Sequence, residues 1–118
     1  MNAPIYLQIK ENLELAILSG RISPGQRLPS VRKLAEQFQI NPNTVQRVMA
    51  ELRKTGLITG RQGQPMIVIS DTDQISVYKQ KKVIALVHDC IQQLKSLNYQ
   101  ETKIVNLISS VTRNLIDT

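Results

Sequence analysis

The chain has 118 residues, 42% of them hydrophobic, which suffices for one small domain with an appendage but leaves little room for an enclosed active site. The single cysteine, Cys90, excludes an intrachain disulfide and a thiolate metal cluster built from one chain. The sequence shows no signal peptide and no uninterrupted apolar run of about 18 residues. We therefore expect a soluble, cytoplasmic protein that is not inserted in a membrane.

The net charge of +6 is concentrated in the first part of the chain. Residues 1–70 contain nine Lys and Arg against four acidic residues, whereas residues 71–118 contain six against five. Such asymmetry fits a partner that carries phosphate, either nucleic acid or an anionic membrane, and it fits equally a charged surface that keeps a protein soluble. Charge alone does not decide between these interpretations.

Three helices are predicted in the first half of the chain. The first begins after Pro4, repeats apolar residues at three- and four-residue steps and ends near Gly20. Ser30 is expected to cap the second helix and Asn41 the third, and Gly56 is expected to end the third. Only a short turn, Gln39-Ile40-Asn41, separates the second helix from the third.

The hydrophobic period changes after the third helix. Residues 57–61 and 66–70 are short, partly β-branched runs that flank a Gln-Gly-Gln-Pro turn, so they predict a two-stranded hairpin. Three helices and a hairpin, with a tight turn between the second and third helices, describe a winged helix-turn-helix. The predicted fold class is therefore mainly α with a small β-hairpin.

A polar stretch at residues 70–73 divides the chain into the winged helix-turn-helix domain, residues 1–70, and a two-helix extension, residues 71–118. Each helix of the extension carries an apolar stripe that lacks a partner inside the extension. We expect these stripes to form a dimer interface, and a helical hairpin folded back on its own first domain is the alternative. The predicted interface contains Val83, Val87, Cys90, Ile91, Leu94, Ile104, Leu107, Ile108 and Val111.

The outward side of the third helix predicts double-stranded DNA as a partner. Its apolar residues define an inward stripe, so four polar residues near its start must point outward. The major groove of B-DNA is about 12 Å wide and admits one helix, whose amides suit adenine and whose guanidinium groups suit guanine. Ordinary solvation is the commoner reason for a polar face, but the capped helix-turn-helix pattern favours base reading. The four residues are Asn43, Thr44, Gln46 and Arg47.

Further DNA contacts are predicted on both sides of that helix. Arg32 and Lys33 follow the cap of the second helix and can hold phosphates, with plain solvation as the alternative. In the hairpin, Arg61 and Gln62 either touch the minor groove or the backbone, or merely form a turn. The sequence leaves both interpretations of the hairpin open.

The stretch PIYLQIKENLELAILSGRISPGQRLPSVRKLAEQFQINPNTVQRVMAELRKTGLI resembles the amino-terminal domain of GntR-type transcription regulators, particularly the short YtrA-like subfamily. The resemblance implies a winged helix-turn-helix that binds operator DNA as a dimer and usually represses transcription. It also implies that the residues after residue 73 form a two-helix extension of the YtrA type. Pro65, Met66 and Ile67 depart from the usual wing pattern. The DNA contacts that the resemblance implies are Arg32, Asn43, Thr44, Gln46 and Arg47, with Gln62 and Gly63 at the wing tip.

We therefore expect a homodimeric, sequence-specific regulator that represses transcription from a palindromic operator. The alternatives are a winged-helix module that binds a protein and an architectural DNA binder without sequence preference. An enzyme is disfavoured because the sequence shows no paired carboxylates, no nucleophile beside a base and no phosphate-binding glycine loop. We expect no cofactor and no metal, since His88 and Cys90 point roughly 200° apart on a helix. An effector could be enclosed only at a dimer interface.

Overall fold

The computed structural model describes residues 4–61 and 63–117, which form five helices and one two-stranded hairpin. This architecture confirms the predicted mainly α fold with a winged helix-turn-helix. None of the helices in these two ranges combines the length and the apolar character that crossing a membrane requires. The elements are α1 (Ile5–Leu18), α2 (Val31–Phe38), α3 (Pro42–Thr55), β1 (Ile58–Thr59), β2 (Ile67–Val68), α4 (Thr72–Ser96) and α5 (Glu101–Asp117).

Side-chain caps fix the starts of α2 and α3. The Ser30 hydroxyl accepts a hydrogen bond from the Lys33 backbone N–H at 3.1 Å, and the Asn41 side chain accepts one from the Asn43 N–H at 2.8 Å. Each bond satisfies an N–H group that the first turn of a helix leaves without an intrahelical partner. Pro42 occupies the first position of α3, where its missing N–H costs nothing.

A left-handed residue makes the turn between α2 and α3. Gln39 has a φ of 54°, and the Ile40 N–H donates back to the Ala35 carbonyl at 3.0 Å. This arrangement ends a helix abruptly because the chain reverses within one residue. The turn brings α3 across α2, as a helix-turn-helix requires.

The core of the first domain is built mainly from the inward sides of α1, α2 and α3. Four residues of α3 are completely buried, and α1 contributes a matching stripe that packs against α3. Burying one such aliphatic side chain contributes about 1.5–3 kcal/mol, so this stripe fixes the rotation of α3 about its axis. The buried α3 residues are Val45, Val48, Met49 and Leu52.

The wing consists of the β1–β2 hairpin, and a stretch of chain before α2 pairs with its outer side. In the hairpin, β1 pairs antiparallel with β2, Ile58 opposite Val68. On the other side of β2, the Leu28 N–H donates to the Met66 carbonyl at 2.8 Å and the Val68 N–H donates to the Gln26 carbonyl at 3.0 Å. The segment before α2 is therefore hydrogen-bonded to the wing, and Arg27 lies directly beside it.

The chain divides into two compact units, with the division between Lys79 and Gln80, inside α4. The polar stretch at residues 70–73, where the sequence predicts a boundary, leads into the first turn of α4 at Thr72. The Asp71 carboxylate accepts hydrogen bonds from the backbone N–H groups of Asp73 and Gln74, both at 3.1 Å, and so caps this helix.

The first turns of α4 belong to the first unit and contact α1. The Tyr78 hydroxyl donates a 2.5 Å hydrogen bond to the carboxylate of Glu14, which is only 1% exposed. Burial, the hydrogen bond to Glu14 and the charge of Glu14 raise the pKa of Tyr78 to about 12. Ile75 packs against the same core.

The second unit contains the rest of α4 and α5. Asn98 adopts a left-handed conformation after α4, and the Tyr99 N–H donates to the Leu94 carbonyl at 3.1 Å. Lys95 and Glu101 form an ion pair at 2.9 Å across this turn. The hydrogen bond from Lys95 lowers the pKa of Glu101.

Candidate nucleic-acid interface

The polar face of α3, termed the recognition face, consists of Asn43, Thr44, Gln46 and Arg47. Asn43 and Arg47 are exposed, and Thr44 and Gln46 are half-buried. All four lie in the first two turns of α3, opposite its buried stripe. The recognition face therefore presents amide, hydroxyl and guanidinium groups on one side of a helix whose rotation the core fixes.

A groove of about 380 Å³ lies between the start of α2, the recognition face and the wing. We call it the wing groove. It brings together Arg32, Gln46 and Gly63, three of the predicted DNA contacts. It also includes Arg27 and Gln64, which the sequence pattern did not predict as DNA contacts. The sequence signal for Arg27 was only a basic residue before Leu-Pro, and its position depends on pairing with the wing.

The remaining predicted contacts lie outside the wing-groove lining. Lys33 is exposed on α2, and only its backbone N–H is engaged by Ser30. Arg61 is exposed in the wing, where its carbonyl accepts a hydrogen bond from the Gln64 N–H at 3.0 Å. Gln62 lies outside the described residues.

Arg32 is held by one weak ion pair. Its Nε lies 3.7 Å from an oxygen of Glu36, one turn further along α2, and the two side chains are 91% and 71% exposed. Exposed pairs of this kind contribute about 0–1 kcal/mol because water screens both charges. The guanidinium of Arg32 can therefore exchange Glu36 for another anion at little cost.

Most acidic side chains of the first unit's helices are already engaged. Glu14 is buried against Tyr78, Glu36 pairs with Arg32, and Glu51 pairs with Lys54 at 3.2 Å. The basic side chains around the wing groove and recognition face consequently form a surface of net positive charge. Such a surface attracts phosphate groups. The basic residues are Arg27, Arg32, Lys33, Arg47 and Arg61.

Arg47 makes an aromatic contact that the sequence pattern did not predict. Its guanidinium carbon lies 3.7 Å from the centroid of the Tyr6 ring, which belongs to α1. Tyr6 is half-buried and packs against the hydrophobic core. The only signal in the sequence was an aromatic residue at the edge of the α1 stripe.

A second groove, of about 410 Å³, lies within the second unit between α4 and α5. We call it the extension groove. Six residues of the predicted dimer interface line it, whereas Val83 and Ile91 do not, and Ile104 is only 5% exposed in the single chain. Leu86 and Thr112 line it without having been predicted. The six predicted residues are Val87, Cys90, Leu94, Leu107, Ile108 and Val111.

Comparison with known sequences identifies the family. The model of the gntR family of bacterial regulatory proteins matches residues 5–68. The uncharacterized HTH-type transcriptional regulator YhcF of Bacillus subtilis (strain 168) is 30% identical over 109 residues, which are 92% of this chain and 90% of YhcF. The HTH-type transcriptional repressor YtrA of the same organism is 41% identical over 63 residues, 53% of this chain and 48% of YtrA.

Solved structures agree with this result. A GntR family transcriptional regulator from Listeria monocytogenes has a TM-score of 0.82 at 29% identity, covering 92% of this chain and 96% of that chain. AraR(DBD) in complex with operator ORE1 has a TM-score of 0.55 at 31% identity, covering 58% of this chain and 83% of that chain. The chain therefore belongs to the gntR family of bacterial regulatory proteins, and it is a transcriptional regulator rather than an enzyme.

Proposed function

We propose that this regulator represses transcription by binding double-stranded operator DNA in a sequence-specific manner as a homodimer. The observation that carries the proposal is the recognition face, an exposed polar helix side next to a groove that contains two arginines. Two of the related proteins support it, since YtrA is named a transcriptional repressor and AraR(DBD) was solved with its operator. Membership of the YtrA-like subfamily is part of the same proposal.

In this proposal the recognition face reads base edges in the major groove. The amides of Asn43 and Gln46 suit adenine, the guanidinium of Arg47 suits guanine, and the hydroxyl of Thr44 suits either. The N-terminal end of α3 supplies a partial positive charge that favours a nearby phosphate. These side chains therefore provide specificity, and the helix end provides orientation.

The wing groove and the basic residues around it provide contacts to the phosphate backbone. Arg32 exchanges Glu36 for a phosphate, and Arg27 approaches the same strand from the segment beside the wing. Gly63 and Gln64 bring the wing close to the backbone, with Arg61 near the wing tip. Each phosphate neutralised releases counterions, so binding must weaken steeply as salt concentration rises.

The extension groove supplies the dimer contact. Among its lining residues, Val87 is 50% exposed and Val111 is 48% exposed, which leaves apolar surface in contact with water. Another copy of the chain is the occupant that we propose, because two identical apolar faces cover each other across a twofold axis. The two recognition helices would then enter successive major grooves of a palindrome, about 34–36 Å apart.

The proposed partner also defines where the protein acts. Operator DNA places it in the bacterial cytoplasm. An effector of this chain would have to bind between the two protomers, because about 45 residues of extension cannot enclose one alone.

Selection of random duplexes by the purified chain tests the proposal. We expect one enriched palindrome, whose half-site centres are about 10 base pairs apart, and a gel shift on this duplex that a scrambled duplex does not compete. Arg47→Ala should weaken this gel shift. Arg113→Ala is its matched control, since it removes an exposed arginine from α5 instead of α3. Equal affinity for the scrambled duplex would instead identify an architectural DNA binder. Absence of any shift, with a protein partner recovered, would identify an interaction module.

A further inference from the structure

The contact between Tyr6 and Arg47 joins the recognition face to α1. The guanidinium carbon lies 3.7 Å from the ring centroid, within the distance at which a cation is attracted to an aromatic face. Tyr6 is partly buried and packs against the core, so the position of its ring is set by the fold. Arg47 remains exposed although it rests on the ring.

Stacking of this kind does not use up the donors of arginine. The five N–H groups of a guanidinium point in several directions around its plane, and a single ring 3.7 Å from the guanidinium carbon cannot engage all of them. The edge that forms two parallel hydrogen bonds with guanine therefore stays available. A lysine at the same position would keep the charge but would lack the planar fork.

The stack also restricts the side chain before DNA arrives. A free arginine samples many rotamers and loses this freedom when it binds a base. Contact with a fixed ring restricts those rotamers in the free protein, so less entropy is lost on binding. The free energy of a cation–π contact at an exposed site corresponds to a roughly two- to fivefold enrichment of the restricted side-chain conformation, which sets the largest effect on affinity.

We infer that Tyr6 is a specificity-determining positioning residue, whose ring pre-orients Arg47 for the single base pair that Arg47 reads. This inference rests on the proposed function. It assigns a role in base discrimination to a side chain of α1 that lies outside the recognition face. The ring acts through Arg47, and the tyrosine hydroxyl is not required.

A double-mutant cycle on the selected duplex tests the inference. Discrimination is measured as the Kd for a duplex substituted at the position that Arg47→Ala relaxes, divided by the Kd for the selected duplex. Tyr6→Leu should lower this ratio by about two- to fivefold in the wild-type background and leave it unchanged in the Arg47→Ala background. Tyr6→Phe, the matched control, should keep the wild-type ratio because it keeps the ring.

A second measurement needs no DNA. In the free protein, the ring current of Tyr6 should shift the side-chain proton resonances of Arg47 upfield in the NMR spectrum. Tyr6→Phe should keep this shift and Tyr6→Met should abolish it. Should Tyr6→Leu fail to fold, as judged by its thermal unfolding, Tyr6→Met replaces it in the cycle.

Three results would overturn the inference alone. Unchanged discrimination in Tyr6→Leu, with relaxed discrimination in Arg47→Ala, would remove Tyr6 from base reading and leave the proposed function intact. Tighter or more selective binding by Tyr6→Leu would show that the ring holds Arg47 away from DNA. Equal weakening on all duplexes by Tyr6→Leu and Tyr6→Phe would identify the hydroxyl as a phosphate contact. A wild-type chain without base preference would defeat the proposed function as well.

Discussion

Tyr78→Phe should destabilise the first unit by removing one hydroxyl from the contact between α1 and α4. In the wild type this hydroxyl donates a 2.5 Å hydrogen bond to Glu14, whose side chain is almost completely buried. A hydrogen bond to a charged group contributes about 1.5–3 kcal/mol to stability. Because Tyr78 is only partly buried, we expect Tyr78→Phe to lower the free energy of unfolding by an amount near the lower end of that range, about 1.5 kcal/mol.

The stability lost in Tyr78→Phe should depend on pH in a defined direction. The pKa of Tyr78 is raised from 10.0 to about 12 in the folded state, mainly by burial and also by Glu14. The stabilisation is complete below pH 10, where the folded and unfolded states both keep the proton. It is lost as pH rises toward about 12, because the unfolded state releases its proton first. The difference in free energy of unfolding between wild type and Tyr78→Phe should therefore shrink as the pH rises from 10 to about 12.

Urea unfolding followed by circular dichroism, at one fixed protein concentration, measures this difference. We expect the midpoint of Tyr78→Phe to fall by about 0.5–1.5 M near neutral pH. Tyr99→Phe is the matched control, since it removes a hydroxyl from the turn between α4 and α5 and should leave the midpoint unchanged. An unchanged midpoint in Tyr78→Phe, or a destabilisation that stays constant to about pH 12, would contradict the reasoning.

Three further substitutions test the interface, the wing and the dimer. Arg47→Ala should weaken operator binding by about 1–3 kcal/mol and relax selectivity at one base position, and a competition series with single-base variants measures this. Gly60→Ala should lower stability by about 1–3 kcal/mol in urea unfolding, because Gly60 has a φ of 140° and an added Cβ would lie 2.8 Å from the Pro65 carbonyl oxygen. Val87→Asp should sediment as a monomer and lose operator affinity by roughly 10²–10⁴-fold, whereas Gln92→Asp on the exposed side of α4 should remain a dimer. A dimeric Val87→Asp chain would remove the extension groove from the dimer contact.

The sequence by itself determined where the first three helices begin and end and which side of α3 is buried. Ser30, Asn41 and Gly56 were predicted as helix ends, and each of them caps a helix in the structure. A cap involves residues two or three apart, so local chemistry is enough to predict it. The inward stripe of α3 was predicted from its period, and its four residues are completely buried. Family membership was likewise predicted from the order and spacing of short motifs.

Only the tertiary structure decided which distant residues meet. Tyr6 lies over Arg47, Tyr78 contacts Glu14, and Arg27 lies beside the wing, and none of these pairings was predicted. Hydrophobic periodicity shows that a helix face is buried, but it does not show which residue of another helix lies opposite. That choice depends on how the helices and the wing pack against one another, which is a property of the whole core.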